Sequence, residues 1–183
     1  VLLTPPNARQ EYVSALAAAG KHILMEKPVE RTTEAAEAIV ATCRDHDVLA
    51  GVVFQHRFRE NSVKLRDLLA GGAMGAVGCV RLAVPWWRPQ QGYYDQPGRG
   101  SLERDGGGVL ISQAIHTLDL MLSLTGPVAE VQAVSATTRF HEMESEDFVA
   151  GGMRFAGGFT GSVMATTAAY PGDAESITLD CGK

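Results

Sequence analysis

The chain has 183 residues, 45% hydrophobic and 20% charged, with a formal net charge of -5. That is the composition of a globular protein, and its acidic balance with no Lys/Arg run argues against nucleic acid or an anionic membrane surface as the main partner. No apolar segment reaches the roughly 18 residues of a transmembrane helix. Cys43, Cys79 and Cys181 form no CxxC pair, so reduced thiols in a cytoplasmic protein are expected. The histidines show no ligand spacing, and His141-Glu142 lacks a second histidine at HExxH distance, so no metal is expected.

Val1 to Thr4 reads as the end of a buried strand, and Pro5-Pro6-Asn7 as the turn that leaves it. Ala8 to Ala19 is an alanine-rich helix stopped at Gly20. His22 to Met25 is a short apolar strand running into Glu26-Lys27-Pro28. Thr32 or Thr33 caps a helix from Glu34 to His46, and Leu49 to Phe54 is a further strand. Strand and helix alternating with short connections is βαβ architecture, hence a parallel sheet. Ligands bind such sheets outside the carboxyl ends of the strands. Asn7, Glu26-Lys27-Pro28 and Gln55-His56-Arg57 all sit just past strand ends and so share one edge.

From Asn61 the pattern changes. Asn61 to Ala70 reads as an amphipathic helix, Ala76 to Val84 as a strand, and Pro85 to Glu103 as a long polar and aromatic loop. Loops of that length are commonly functional. Trp86, Trp87, Tyr93 and Tyr94 could cover a sugar ring while Arg88 and Arg99 hold an acidic group; a loop merely pinned by its aromatics is the alternative. Asp105 to Gly126 (DGGGVLISQAIHTLDLMLSLTG) reads as a helix with a flexible glycine entry and a Gly-Pro stop, buried on most sides. Ser112, His116, Asp119 and Ser123 break its apolar run and share one stripe. Taken alone, His116 could be a core histidine satisfied by Asp119. Val128 to Arg139, Asp147 to Phe155, Phe159 to Ala169 and Ser176 to Cys181 then read as an antiparallel meander. Two domains follow, 1–57 and 58–183. Both ends read as cut, so the chain is expected to be the middle of a longer protein.

These residues resemble the Gfo/Idh/MocA oxidoreductase family. The resemblance is carried by Thr4-Pro5-Pro6-Asn7, by Ala19 to Pro28 (AGKHILMEKP) and by Arg57-Phe58. In the second half it is carried by Trp86-Trp87-Arg88, Tyr93-Tyr94, Arg99-Gly100 and Asp105 to Asp119, similar to a branch acting on sugars and nucleotide-sugar acids. The resemblance implies the end of a Rossmann-type parallel sheet followed by an α/β domain with a large open antiparallel sheet that commonly joins dimers or tetramers. It implies hydride transfer between NAD or NADP and a hydroxyl-bearing carbon of a sugar or polyol. Lys27 and His116 would be catalytic, Lys27 beside the reacting oxygen and His116 exchanging the substrate proton. Thr4, Pro5, Asn7, Glu26, Lys27, Pro28, Gln55, Arg57, Trp87 and Arg88 would lie along the cofactor. Lys27, Tyr94, Arg99, Ser112, Gln113 and His116 would meet a small sugar-like substrate.

Elementary chemistry fits the two central roles. Oxidising a secondary alcohol requires a base for the hydroxyl proton, and a neutral imidazole suits that near neutral pH. A neighbouring ammonium disfavours a second positive charge and stabilises a developing oxyanion. Three departures stand out. No GxGxxG occurs in these residues. The position four before the histidine, Asp or Asn in the family, is Ser112. A histidine often found after the TPN turn is replaced near Arg9-Gln10. A non-catalytic sugar- or nucleotide-binding or oligomerising homologue is the competing reading, resting on Ser112 alone. Asp119 could orient His116 or serve the domain junction.

Overall fold

A computed structural model describes residues 1–183, and in it the chain builds two sheets. Arg9–Ala18 (α1) is rich in the alanines that helices favour, and the chain leaves it where Gly20 takes φ +67°. Ile23–Met25 (β1) and Ala50–Val52 (β2) pair in parallel, and Leu2 adds a parallel bridge to Met25. Thr33–Asp45 (α2) crosses between them. Its start is fixed by Thr32, whose Oγ1 accepts a hydrogen bond from the Ala35 amide at 3.2 Å.

Strand order advances in one direction from Leu2 through β1 to β2, so both helices fall on the same face. There Val13, Ala17, Ile23, Met25, Ile39 and Cys43 close into one apolar cluster. The opening segment is therefore buried only through Leu2; Val1 and Leu3 on the uncovered face are 83% and 74% exposed.

A short 3-10 turn, Gln55–Phe58, leads into Glu60–Ala70 (α3) and the second sheet. Its strands are Val77–Pro85 (β3), Val128–Ala136 (β4), Phe148–Phe155 (β5), Thr160–Thr166 (β6) and Ser176–Cys181 (β7), in the order β4-β5-β6-β3-β7. β4, β5 and β6 form the expected antiparallel meander. The sheet as a whole is mixed, because β6 runs parallel to β3 and β7 pairs antiparallel along the other side of β3. The long loop and the helix after β3 carry the chain across the sheet before β4, so β6 arrives pointing the same way as β3. β7 then takes the free edge of β3.

The segment after the glycine run opens with a π-type turn, Leu110–Ala114, and continues as Ile115–Thr125 (α4), ending where Gly126 takes φ +78°. Val109, Ala114 and Met121 pack with Val80, Leu82, Val84, Val149, Phe155 and Val163 as the main core. The helix is not buried on most sides, however. Leu122 is 40% exposed. Beyond it lies an apolar groove of about 1000 Å³ lined by Leu118, Met121, Val131, Val149 and Val163 among others.

The glycine run also differs from a flexible entry: it is a close-packing site. A Cβ on Gly106 would lie 2.6 Å from Cβ of Arg31, and one on Gly108 would lie 1.7 Å from the Glu146 carbonyl oxygen. The Glu146 carboxylate accepts from the amides of Gly108 (3.0 Å) and Leu110 (3.3 Å), an acidic group at the amide-rich end of a helix. Gly108→Ala should therefore cost about 2–3 kcal/mol or more in a urea melt. Gly152→Ala, whose Cβ meets only one atom at 3.9 Å, should stay within about 0.5 kcal/mol. Equal losses at the two sites would contradict the packing account.

Candidate active site

β1 ends at Met25, and the residues after it carry Lys27 to the carboxyl edge of the small sheet. There Lys27 Nζ donates to the Ser112 carbonyl oxygen at 2.7 Å, across to the second sheet's helix. A π-type turn interrupts the regular helical ladder and frees a carbonyl for an outside donor. The Ser112 side chain plays no part in that contact; its Oγ donates at 3.4 Å to the Gly107 carbonyl. Burial holds the Lys27 ammonium below the usual lysine pKa, Glu26 opposes this, and Arg99 adds to it.

His116 stands in the first turn of α4, and its Nδ1 is buried without a hydrogen-bond partner. The ring stacks on His56, with centroids 4.9 Å apart and planes at 29°, and meets Phe54 edge-on at 6.1 Å. Burial pushes its pKa down, the Lys27 ammonium pushes the same way, and His56 adds to both; Glu26 and Glu175 oppose. The imidazole is thereby favoured in its neutral form.

Asp119 does not orient His116. Its carboxylate takes a two-pronged contact from Arg57, Nε to Oδ2 at 2.6 Å and Nη2 to Oδ1 at 2.5 Å, linking α4 to the turn after β2. The polar stripe of the helix therefore divides: Ser112 offers its carbonyl to Lys27, His116 faces His56, Asp119 holds the junction, and Ser123 Oγ bonds back to the Leu120 carbonyl. Arg57, expected along the cofactor, is committed to Asp119.

The long loop after β3 contributes a different tyrosine from the one expected. Tyr94 is 5% exposed, its hydroxyl bonds to Thr167 Oγ1 at 2.6 Å, and burial pushes its pKa up to about 12. Tyr93 is the one joined to the candidate site. Its hydroxyl accepts from Gln113 Nε2 at 2.9 Å and from Arg99 Nη1 at 3.4 Å, and the guanidinium groups of Arg99 and Arg88 lie 4.5 and 5.6 Å from its ring centre. Gln113 Oε1 is buried with no partner. Trp87 packs against Phe140, His141 and Tyr170, so its ring is a structural contact of the loop.

Thr4, Pro5, Asn7, Glu26, Pro28 and Gln55 line the strand-end loops. Arg9, which sequence reasoning leaves uninterpreted, braces them. It is 1% exposed, and its guanidinium donates to the carbonyls of Thr4 (3.0 Å), Val29 (3.3 Å) and Pro28. Its only sequence signal is an arginine where the family often has histidine. His56 has a clearer one, its place beside Arg57 at the strand end. A second pair is invisible in the sequence: His141 and Asp147 have fully buried side chains, with Nδ1 2.5 Å from Oδ2, while Nε2 lies 2.7 Å from the Arg88 carbonyl. Both ring nitrogens face oxygen atoms, so this histidine pins the Arg88 loop to the β4–β5 connection.

Residues 62–183 match the GFO/IDH/MocA C-terminal domain, and residues 1–54 match the oxidoreductase family with an NAD-binding Rossmann fold. A 1,5-anhydro-D-fructose reductase from Ensifer adhaerens is 32% identical over 85% of this chain and 46% of its own length. The solved WlbA dehydrogenase of Bordetella pertussis, in complex with NADH and UDP-GlcNAcA, superposes with a TM-score of 0.90 at 33% identity, covering 100% of this chain and 53% of that one. A levoglucosan dehydrogenase in complex with NADH and levoglucosan gives 0.87 at 28% identity, covering 98% and 50%. The two-part α/β fold and these matches define an oxidoreductase-type architecture. The chain belongs to the Gfo/Idh/MocA oxidoreductase family. It spans about half the length of the relatives it matches.

His56 and His116 both have pKa values held below the ordinary histidine value, in each case chiefly by burial. As pH falls below about 6.5 the unfolded chain takes up these protons before the native state does, so acidification removes stability. Replacing both rings by phenylalanine should shrink the drop in urea midpoint between pH 7 and 5. An undiminished drop would contradict the shifts.

Proposed function

We propose that the protein carrying this chain transfers a hydride between NAD or NADP and a secondary hydroxyl or ketone carbon of a sugar, polyol or nucleotide-sugar acid. The observation that carries the reading is the meeting of Lys27 and His116: an ammonium bonded to the Ser112 carbonyl, one turn before an imidazole whose pKa it lowers. Residues 1–57 would end the cofactor domain, and 58–183 would form the substrate domain.

The residues present fit the nicotinamide end of such a cofactor. Thr4 Oγ1 is a buried polar atom without a partner on the strand-end edge. Thr4, Pro5, Asn7, Glu26, Pro28 and Gln55 are the groups that would hold it there. When bound, the cofactor accepts or gives the hydride. In the oxidative direction the C–H bond of the alcohol carbon breaks with its electron pair leaving as hydride, while the O–H proton passes to neutral His116. The Lys27 ammonium stabilises the negative charge that grows on that oxygen. In reduction, protonated His116 returns the proton.

Substrate hydroxyls have an acceptor in the unpartnered Gln113 Oε1 and a donor in the Tyr93 hydroxyl. Arg99 and Arg88 bring positive charge to the same tyrosine. A carboxylate-bearing sugar suits that end of the site. Ser112 offers Lys27 its carbonyl, a contact that does not depend on the side chain at that position, and this favours the catalytic reading over a non-catalytic homologue. The uncovered face of the larger sheet would join copies into a dimer or tetramer.

A panel of sugars, polyols and uronates assayed by nicotinamide absorbance tests the proposal. Lys27→Met and His116→Asn should each lower kcat by at least ~100-fold with the fold retained. Wild-type turnover in both variants would overturn the assignment.

A further inference from the structure

The ring of His116 has no conventional orienting group. A general base is ordinarily held by a hydrogen bond from its far nitrogen to a carboxylate or carbonyl. Here Nδ1 has no partner, and Asp119, the carboxylate one turn along, is taken by Arg57. What touches the ring is His56, stacked face to face, and Phe54 at its edge.

His56 is itself held on two sides. It is 6% exposed, in the 3-10 turn after β2. Its Nε2 lies 2.7 Å from Arg59 Nη2. A guanidinium has only donors, so that nitrogen must be unprotonated and the single ring proton must sit on Nδ1. Nδ1 faces Glu175 Oε1 at 3.5 Å, and Arg59 Nη1 is 3.5 Å from the same oxygen. The other oxygen of Glu175 accepts from Thr117 Oγ1 at 2.6 Å. Thr117 directly follows His116 on α4, so the contacts run from the helix through Glu175 and His56 and back to the helix.

We infer that His56 is a positioning residue for His116: a neutral, Nδ1-protonated ring, locked by Arg59 and Glu175, that fixes the neighbouring imidazole by stacking and leaves it free to take a proton. Two rings this close resist carrying charge together. The charged and titratable groups facing His56 are Arg59 on its own segment, Glu175 ahead of β7, and Asp119 and His116 on α4; those facing His116 are Lys27 and Glu26 after β1, His56 and Glu175. Burial lowers the pKa of His56, and Arg59 lowers it further against Glu175. His56 touches neither the substrate nor Lys27 in this scheme and acts only through the His116 ring.

The inference rests on the catalytic reading of His116, but its test does not require turnover. Histidine-ring nitrogen NMR of the protein reads both tautomer and titration. In the wild type, His56 should show the Nδ1-protonated form. Arg59→Gln removes the guanidinium charge from a side chain that is 57% exposed; the His56 midpoint should move up and the His116 midpoint should move down with it. Arg59→Lys keeps the charge and should restore much of the His116 value. Where turnover is measured, the acid limb of the kcat profile should follow the His116 midpoint, with KM unchanged. A His116 midpoint that stays fixed while that of His56 moves would overturn the inference and leave the hydride-transfer reading standing. Coupled midpoints together with wild-type turnover in His116→Asn would do the reverse.

Discussion

The contact on which the candidate site depends is the hydrogen bond from the Lys27 ammonium to the Ser112 carbonyl. It joins a loop of the small parallel sheet to the helix of the larger mixed sheet, and it does so with a charge that burial makes costly. A partly buried ammonium persists only where oxygen atoms and opposite charge offset its lost hydration. Here Ser112 supplies the oxygen, and Glu26 and Asp105 supply negative charge against Arg99 and Arg9. The interrupted ladder at Leu110–Ala114 frees the carbonyl, and the close packing of Gly108 on Glu146 fixes where that turn begins.

Around this contact α4 works as the shared wall of both halves. Met121 and Thr117 face inward, while His116 and Asp119 meet the turn after β2 through His56 and Arg57. Arg31 adds a tie on the other side, donating to the Glu103 carbonyl at 2.5 Å and packing over Gly106. Several polar ties across one seam hold two separate apolar cores in a fixed relation without merging them. A site built on such a seam gains rigidity from both sheets, which suits chemistry that needs a base and an oxyanion partner in register.

Much of this is legible in the residues. Period-two alternation and turn signals place all four late strands within a few residues, and of the two threonines that could cap the second helix it is Thr32 that does so. The parallel pairing of β6 with β3 is not legible, because local pattern says nothing about which free edge a returning strand takes. Tyr93 and Tyr94 are neighbours of equal chemistry, and the backbone bend at Gly92, with φ +83°, decides which one reaches Gln113 and which is buried on Thr167. The partners of Asp119 and Arg9 are likewise long-range choices: Arg57 lies 62 residues away in sequence, and Pro28 lies 19. Lys27 and His116 stand out in the sequence through family resemblance, and spacing alone would leave them as a loop lysine and a core histidine.

The central claim is electrostatic: the Lys27 ammonium adds to burial in holding His116 neutral. Its most direct test is the His116 titration followed by ring-nitrogen NMR in the protein with Lys27→Met, a replacement of similar length without the charge. The account predicts that the His116 midpoint rises when the ammonium is removed, while the His56 tautomer is unchanged. A midpoint that stays in place or falls would show that Lys27 does not act on His116, and the acid–base scheme would fail with it.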